Sequence, residues 1–287
     1  MFFKAGIFPG LLFYMPNIAM NRSNIMKTIA ISVLALILAG CGSVALTGRK
    51  QLLLVSDQEV FEAGLTQYNE YIASSQLSSD TKSTAMVKNV GQKLAAATEQ
   101  YLRASGLESE LSNFAWEFNL VKDSQINAFC MPGGKIVVYE GLLTVAQNES
   151  ELAVVIGHEI AHAVAKHSNE RMSQQIMAQY GAAILSQALS QKSAAVQTVA
   201  TSVFGLGAQV GLMLPYSRKH EYEADYMGIV FMELAGYDSE SSIEFWTKMS
   251  AGGSSSSDFL STHPSDTKRI AELQRRIPEA KQIAKRM

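Results

Sequence analysis

His158-Glu159-Ile160-Ala161-His162 sets two imidazoles four residues apart with a carboxylate beside the first. On an α-helix, residues four apart project from one face, so both rings can meet one divalent cation while Glu159 stands one position round, within reach of a water at that cation. The surroundings favour a buried site, because Val154, Val155, Ile156, Ile160, Ala161 and Val164 flank the motif with apolar side chains. A His-Glu-His set desolvated there without a cation would be costly. Zinc in a catalytic site takes three protein ligands and leaves a fourth position open, so a third ligand must come from elsewhere. His167 follows His162 by five residues, which on a continuing helix is roughly 140 degrees round, so it points away from the motif and reads as solvated. The metzincin pattern is excluded, since Ala165 and Ser168 stand where it requires Gly and His.

Glu221-Tyr222-Glu223-Ala224-Asp225 supplies the missing chemistry. Glu221 and Asp225 share one helical face, so a carboxylate ligand and an acceptor for a ligand imidazole can come from the same helix, the gluzincin arrangement. Glu223, about 200 degrees from Glu221, cannot share that face.

Taken together, His158-Glu159-x-x-His162, the E-x-x-A-D run of Glu221 to Asp225, Asn127-Ala128-Phe129 followed by Pro132-Gly133-Gly134, and Thr262-His263-Pro264 with Arg269-Ile270 resemble the zinc metallopeptidase family of CAAX prenyl endopeptidase, and more narrowly its single-domain bacterial lipoprotein branch. The resemblance spans about residues 41 to 277. It implies one Zn²⁺ per chain held by His158, His162 and Glu221, with Glu159 as general base and Asp225 orienting a ligand imidazole. It further implies that the strand after Asn127-Ala128-Phe129, with Gly134, Ile136 and Val138, is the sheet edge on which substrate backbone lies. His263 is expected near the metal, as an oxyanion stabiliser or as a fourth ligand closing the resting site. No stretch reads as the spanning helices of the prenyl protease itself, so CAAX processing is not implied. Cys130 has no base nearby in sequence and reads as a small buried hydrophobe rather than a nucleophile.

These residues need positioning elements. A capping box, Ser56 with Glu59, opens a helix over about 57–73; apolar spacing predicts a second over roughly 84–104. Alternation of Phe114, Trp116, Phe118 and Leu120 predicts a strand, and Ile136 to Tyr139 a second one after the Pro132-Gly133-Gly134 turn. Asn148 with Glu151 caps a helix over 149–167, Gly236 stops one that begins near Arg218, and a last helix is expected over about 266–277. Residues 172–214 read as two buried helices, and Gly252 to Ser257 as a flexible loop. The expected fold is thus α+β: a mostly helical zincin-like domain with a small antiparallel sheet whose edge strand borders the cleft.

Of the 287 residues, 47% are hydrophobic and 17% charged, which excludes disordered, collagenous and coiled-coil classes. With 24 Lys plus Arg against 26 Asp plus Glu, the chain lacks the basic excess that nucleic-acid binding needs. Two cysteines, Cys41 and Cys130, cannot build a disulfide framework. The apolar run Ile29 to Leu38 is short for a spanning helix and suits a signal peptide, and Leu38-Ala39-Gly40-Cys41 resembles a lipobox whose cysteine is acylated. Residues 1–40 are therefore expected to be an upstream extension and leader that is removed, and 41–287 a single metallopeptidase domain tethered to the membrane through lipidated Cys41 on the periplasmic side of the bacterial envelope. The reading is a zinc endopeptidase acting on unfolded or misassembled envelope polypeptides. The alternative is a zinc-dependent envelope chaperone that holds clients by strand addition and cleaves little.

Overall fold

The computed structural model describes residues 41–188, 217–251, 259, 263 and 267–287. The leader, the stretch beyond Ala188 in the long apolar region, and the Gly252 to Ser257 loop lie outside the described residues. Element order is β1 (Cys41–Ser43), β2 (Lys50–Leu52), α1 (Asp57–Ser74), α2 (Thr81–Ala104), β3 (Glu117–Val121), β4 (Ala128–Met131), β5 (Lys135–Tyr139), α3 (Glu149–Val164), α4 (His167–Ala188), α5 (Arg218–Leu234), α6 (Ser241–Ala251) and α7 (Thr267–Arg286). This is the mostly helical α+β architecture expected, with two small sheets. Among the described residues no helix is long and apolar enough to cross a membrane.

The caps work as the sequence predicts. Ser56 accepts from the Glu59 backbone while Glu59 reaches back to the Ser56 N–H, and Asn148 Oδ1 takes the Glu151 N–H at 2.9 Å. Helix α7 runs past its expected end at 277, through Pro278, because Ile277 and Ala280 are both buried. That continuous apolar face outweighs the one backbone donor a proline removes.

The three-stranded sheet departs from expectation in order and sense. Its order is β3-β5-β4, with β5 parallel to β3 and antiparallel to β4. The strand bearing Ile136 and Val138 is therefore central, not an edge, and Gly134 lies in the turn that precedes it. All five residues of β5 are buried, and the run Ile136 to Tyr139, apolar without alternation, is what a strand covered on both faces looks like. The edge that borders the His-Glu helix α3 is β4. The β4–β5 turn requires Gly133 and Gly134, whose φ values are +87° and +78° and whose missing Cβ atoms leave room for the rings of Phe61 and Trp116.

Helices α3 and α5 pack against each other as the centre of the core. They cross at two glycines: a Cβ on Gly157 would stand 3.2 Å from the Gly228 carbonyl oxygen, and one on Gly228 would stand 3.0 Å from the His158 backbone nitrogen. Backbone contact at this crossing lets a short glutamate on α5 reach the imidazoles of α3.

Candidate metal centre

His158 and His162 sit on the α3 face turned toward Glu221 of α5, and His263, which precedes α7 in the chain, joins them; all four are buried. His158 Nε2 lies 3.0 Å from His162 Nε2 and 3.4 Å from Glu221 Oε2, and His162 Nε2 lies 3.4 Å from Glu221 Oε1. His263 Nδ1 is 3.3 Å from His158 Nε2 and 3.2 Å from Glu221 Oε1. Around a zinc ion with bonds near 2.1 Å, tetrahedral ligand atoms are separated by roughly 3.4 Å, so the three imidazole nitrogens with one Glu221 oxygen have the spacing such an ion needs.

The electrostatics agree. Burial opposes charge on His158, but Asp225 and Glu221 outweigh it and raise the imidazole to about 9. The pocket thus calls for a positive charge, supplied by a proton or a cation. His162 is pushed well below the ordinary range by burial, with the neighbouring His158 and His167 acting in the same direction. Burial also favours the neutral form of Glu221, yet His263 beside it and hydrogen bonds with the three histidines hold it well below the usual carboxylate range. Among the described residues, Glu221 Oε2 and Glu159 Oε1 have nitrogens within 3.2–3.4 Å but no well-formed hydrogen bond. Glu159 stands beside the cluster, 3.4 Å from His263 Nε2, and burial pushes its carboxyl up. The Cys130 backbone of edge strand β4 opposes that rise. Cys130 itself is buried, with its thiol pushed well up by desolvation, as a small core residue would be.

Each ligand imidazole has an outer partner. His158 Nδ1 donates to Asp225 Oδ1 at 2.9 Å, and Asp225 accepts two bonds of 2.6 Å from the Arg269 guanidinium, which stacks on Trp246 at 3.6 Å. His162 Nδ1 lies 2.8 Å from His167 Nδ1, and His167 Nε2 lies 3.0 Å from Glu223 Oε2. His167 is therefore fully buried against the site, not solvated. On one continuous helix His167 would point away, but α3 ends at Val164, and Lys166, at φ 55°, turns the chain so that His167 starts α4. Burial presses His167 down to about 4, keeping it neutral. Glu223 does face away from Glu221, but into this second network, where it too is buried. Arg269 entered the sequence argument only as part of a motif; its burial at 1% exposure against Asp225 makes it a functional brace.

Comparison with known proteins gives the same class. A family model described as Peptidase family M48 matches residues 81–277. The chain is 35% identical over 182 residues to the mitochondrial metalloendopeptidase OMA1 of Schizosaccharomyces pombe, an alignment covering 60% of this chain and 50% of that protein. It is 39% identical over 168 residues to OMA1 of Arabidopsis thaliana, covering 58% and 33%. To the putative beta-barrel assembly-enhancing protease of Vibrio cholerae it is 33% identical over 171 residues, covering 55% and 34%. The chain thus spans about a third to a half of the length of these relatives.

Proposed function

We propose that this chain, which belongs to peptidase family M48, is a zinc endopeptidase anchored to the bacterial envelope through a lipid on Cys41 and directed at unfolded or misassembled polypeptides. The observation that carries the reading is the convergence of His158, His162 and Glu221 at tetrahedral spacing with a buried Glu159 beside them. Zinc held there supplies Lewis acidity toward a peptide carbonyl and makes water more acidic. Glu159 takes the proton from the attacking water and passes it to the leaving amine. Asp225 and Arg269 keep the His158 ring aimed at the site.

Substrate backbone lies along the edge of β4, whose only strand neighbour among the described residues is β5. A recess lined by Val60, Phe61, Phe114, Met131 and His162 opens between α1, β4 and the end of α3, and suits an apolar side chain of the bound polypeptide. His263 fills the fourth corner and must leave before a carbonyl enters. The kinship with the single-domain lipoprotein branch, and with it the envelope location, belongs to this proposal and draws support from the bacterial relative's name.

The test is zinc analysis of the purified protein together with cleavage of an unfolded protein with and without chelator. Glu159→Gln is expected to retain zinc and fold while peptide hydrolysis falls by about 10²- to 10⁴-fold; near wild-type turnover would sink the mechanism. Retained zinc with no cleavage by the wild type would support the chaperone reading instead. Cell fractionation of Cys41→Ala should find the protein unprocessed and its mature form lost from membranes.

A further inference from the structure

We propose that Arg49, carried by the hairpin β1–β2, is a positioning residue for the metal centre: it fixes Glu223, Glu223 fixes His167, and His167 holds the ring of His162. The inference rests on the zinc reading above and extends it to a part of the chain 32 residues before the family-matched region begins at residue 81.

The relay has one consistent arrangement of hydrogens. With His162 Nε2 committed to the cluster, its proton sits on Nδ1 and is donated to His167 Nδ1 at 2.8 Å. His167 then carries its own proton on Nε2 and donates it to Glu223 Oε2 at 3.0 Å. Every donor meets an acceptor, and the tautomers of both rings follow from the ligand role of His162. The relay ends on a carboxylate that a neutral imidazole cannot compensate, and a buried carboxylate needs a counter-charge.

Arg49 supplies it. Its Nε donates to Glu223 Oε2 at 2.6 Å, while its two terminal nitrogens grip Glu170 at 3.0 and 2.7 Å. Glu170 in turn pairs with His220 at 3.1 Å, and the His220 ring stacks on His167 at 4.4 Å. One planar guanidinium thus spans two carboxylates, which a lysine ammonium cannot reproduce with the same geometry. Thr47 Oγ1 adds a bond of 2.5 Å to the other Glu223 oxygen.

The hairpin is docked rather than loose. Its loop closes through Val44 N–H to the Arg49 carbonyl at 2.8 Å and Gly48 N–H to the Val44 carbonyl at 2.9 Å. The chain after β2 is tied to α4 by Leu54 N–H to Ser173 Oγ at 2.8 Å and by Asn169 Nδ2 to the Val55 carbonyl at 2.9 Å. A salt bridge that merely stapled the hairpin to α4 would need no imidazole on its inner side. Here the inner side is His167, whose other ring nitrogen meets the ligand imidazole of His162.

The experiment measures zinc dissociation by chelator competition, and thermal unfolding of the zinc-free protein, for the full chain. Arg49→Met should weaken zinc binding by about 10- to 100-fold, the range for losing an outer partner of a ligand. Arg49→Lys should recover part of it. In a His167→Ala background, Arg49→Met should add less than about threefold, because the relay is already cut. If Arg49→Met does not accumulate as folded protein, Thr47→Val serves, with a loss of about three- to tenfold expected from one hydrogen bond. Wild-type zinc affinity in Arg49→Met or Thr47→Val with only the zinc-free melting temperature lowered would overturn the relay, as would independent, multiplicative losses in the double variant. A wild-type protein that holds no zinc would overturn the metal reading itself and the relay with it.

Discussion

The two imidazoles of α3 are braced from different sides of the core, each by a carboxylate and an arginine, yet the braces are built differently. On the α7 side, Asp225 accepts the His158 proton directly and Arg269 locks the carboxylate through two bonds of 2.6 Å. On the hairpin side a second imidazole is interposed, so that Glu223 and Arg49 act on His162 only through His167. The direct brace is all but sealed, with Arg269 at 1% exposure, whereas the Arg49 side chain keeps 13% of its surface in contact with solvent. A charge pair removed from water interacts more strongly and is missed more when broken. The α7 brace is therefore the stiffer of the two, and the hairpin brace the one through which outside events can reach the site.

Breaking the stiff side should have the largest effect. Asp225→Ala removes two hydrogen bonds from the buried Arg269 guanidinium, which keeps Glu221 at 3.2 Å and the Trp246 ring at 3.6 Å, and takes the partner from His158 Nδ1. We expect zinc affinity to fall about 10- to 100-fold and zinc-free stability to drop by roughly 3–5 kcal/mol. Chelator competition and denaturant unfolding measure the two separately. A stability loss no greater than that of Arg49→Met would erase the distinction between the braces.

His263 belongs to neither brace, and its replacement sharpens the comparison by asking what an imidazole outside both does. It stacks on Phe259 at 4.4 Å and contacts Glu221 and Glu159, with a carboxylate at each of its two ring nitrogens. A ring so held stands where a fourth ligand would. His263→Ala is expected to keep zinc and to raise peptide hydrolysis about fivefold, the effect of removing roughly one hydrogen bond's worth of closure. A loss on the order of 10² in kcat would instead assign His263 to the developing oxyanion.

How much of this was legible in the sequence follows from the same contrast. The Asp225 half of the direct brace was readable because its geometry is local: His158 and His162 are one helical turn apart, as are Glu221 and Asp225; Arg269, 44 residues beyond Asp225, was not. The crossing of α3 and α5 carried a faint signal, a lone glycine in each helix, Gly157 and Gly228, where helix propensity alone would disfavour both. The hairpin brace was not readable. Its first step depends on a helix break at Lys166, a non-glycine residue in the left-handed region that no stop signal announces. Its last step joins Arg49 to Glu223 across 174 residues. The sheet differs for another reason: the resemblance implies an edge at Gly134, Ile136 and Val138, while the unalternating Ile136 to Tyr139 run describes the centre of a sheet.

The smallest expected effect lies at the outer end of the hairpin brace, in acid. Burial alone would raise the Glu170 carboxyl, but hydrogen bonds from His220 and Arg49 outweigh it and hold the group at about 2, against 4.5 for an unperturbed glutamate. Because the folded value is the lower one, the carboxylate contributes stability that is complete above about pH 4.5 and is lost as pH falls toward 2. With solvent screening allowed for, the contribution is about 1–2 kcal/mol, a melting-temperature change of a few degrees for a domain of this size. Asp225 on the other brace is also held below its usual range, so acid weakens both sides and removing Glu170 cannot abolish the whole slope. The measurement is the melting temperature of the zinc-free protein between pH 5.5 and 3 for wild type and Glu170→Gln. The variant should start lower at pH 5.5 and lose less on acidification, the two curves converging toward pH 3. Parallel curves would mean that Glu170 has the same proton affinity folded and unfolded, and the hairpin would then be held by Glu223 alone.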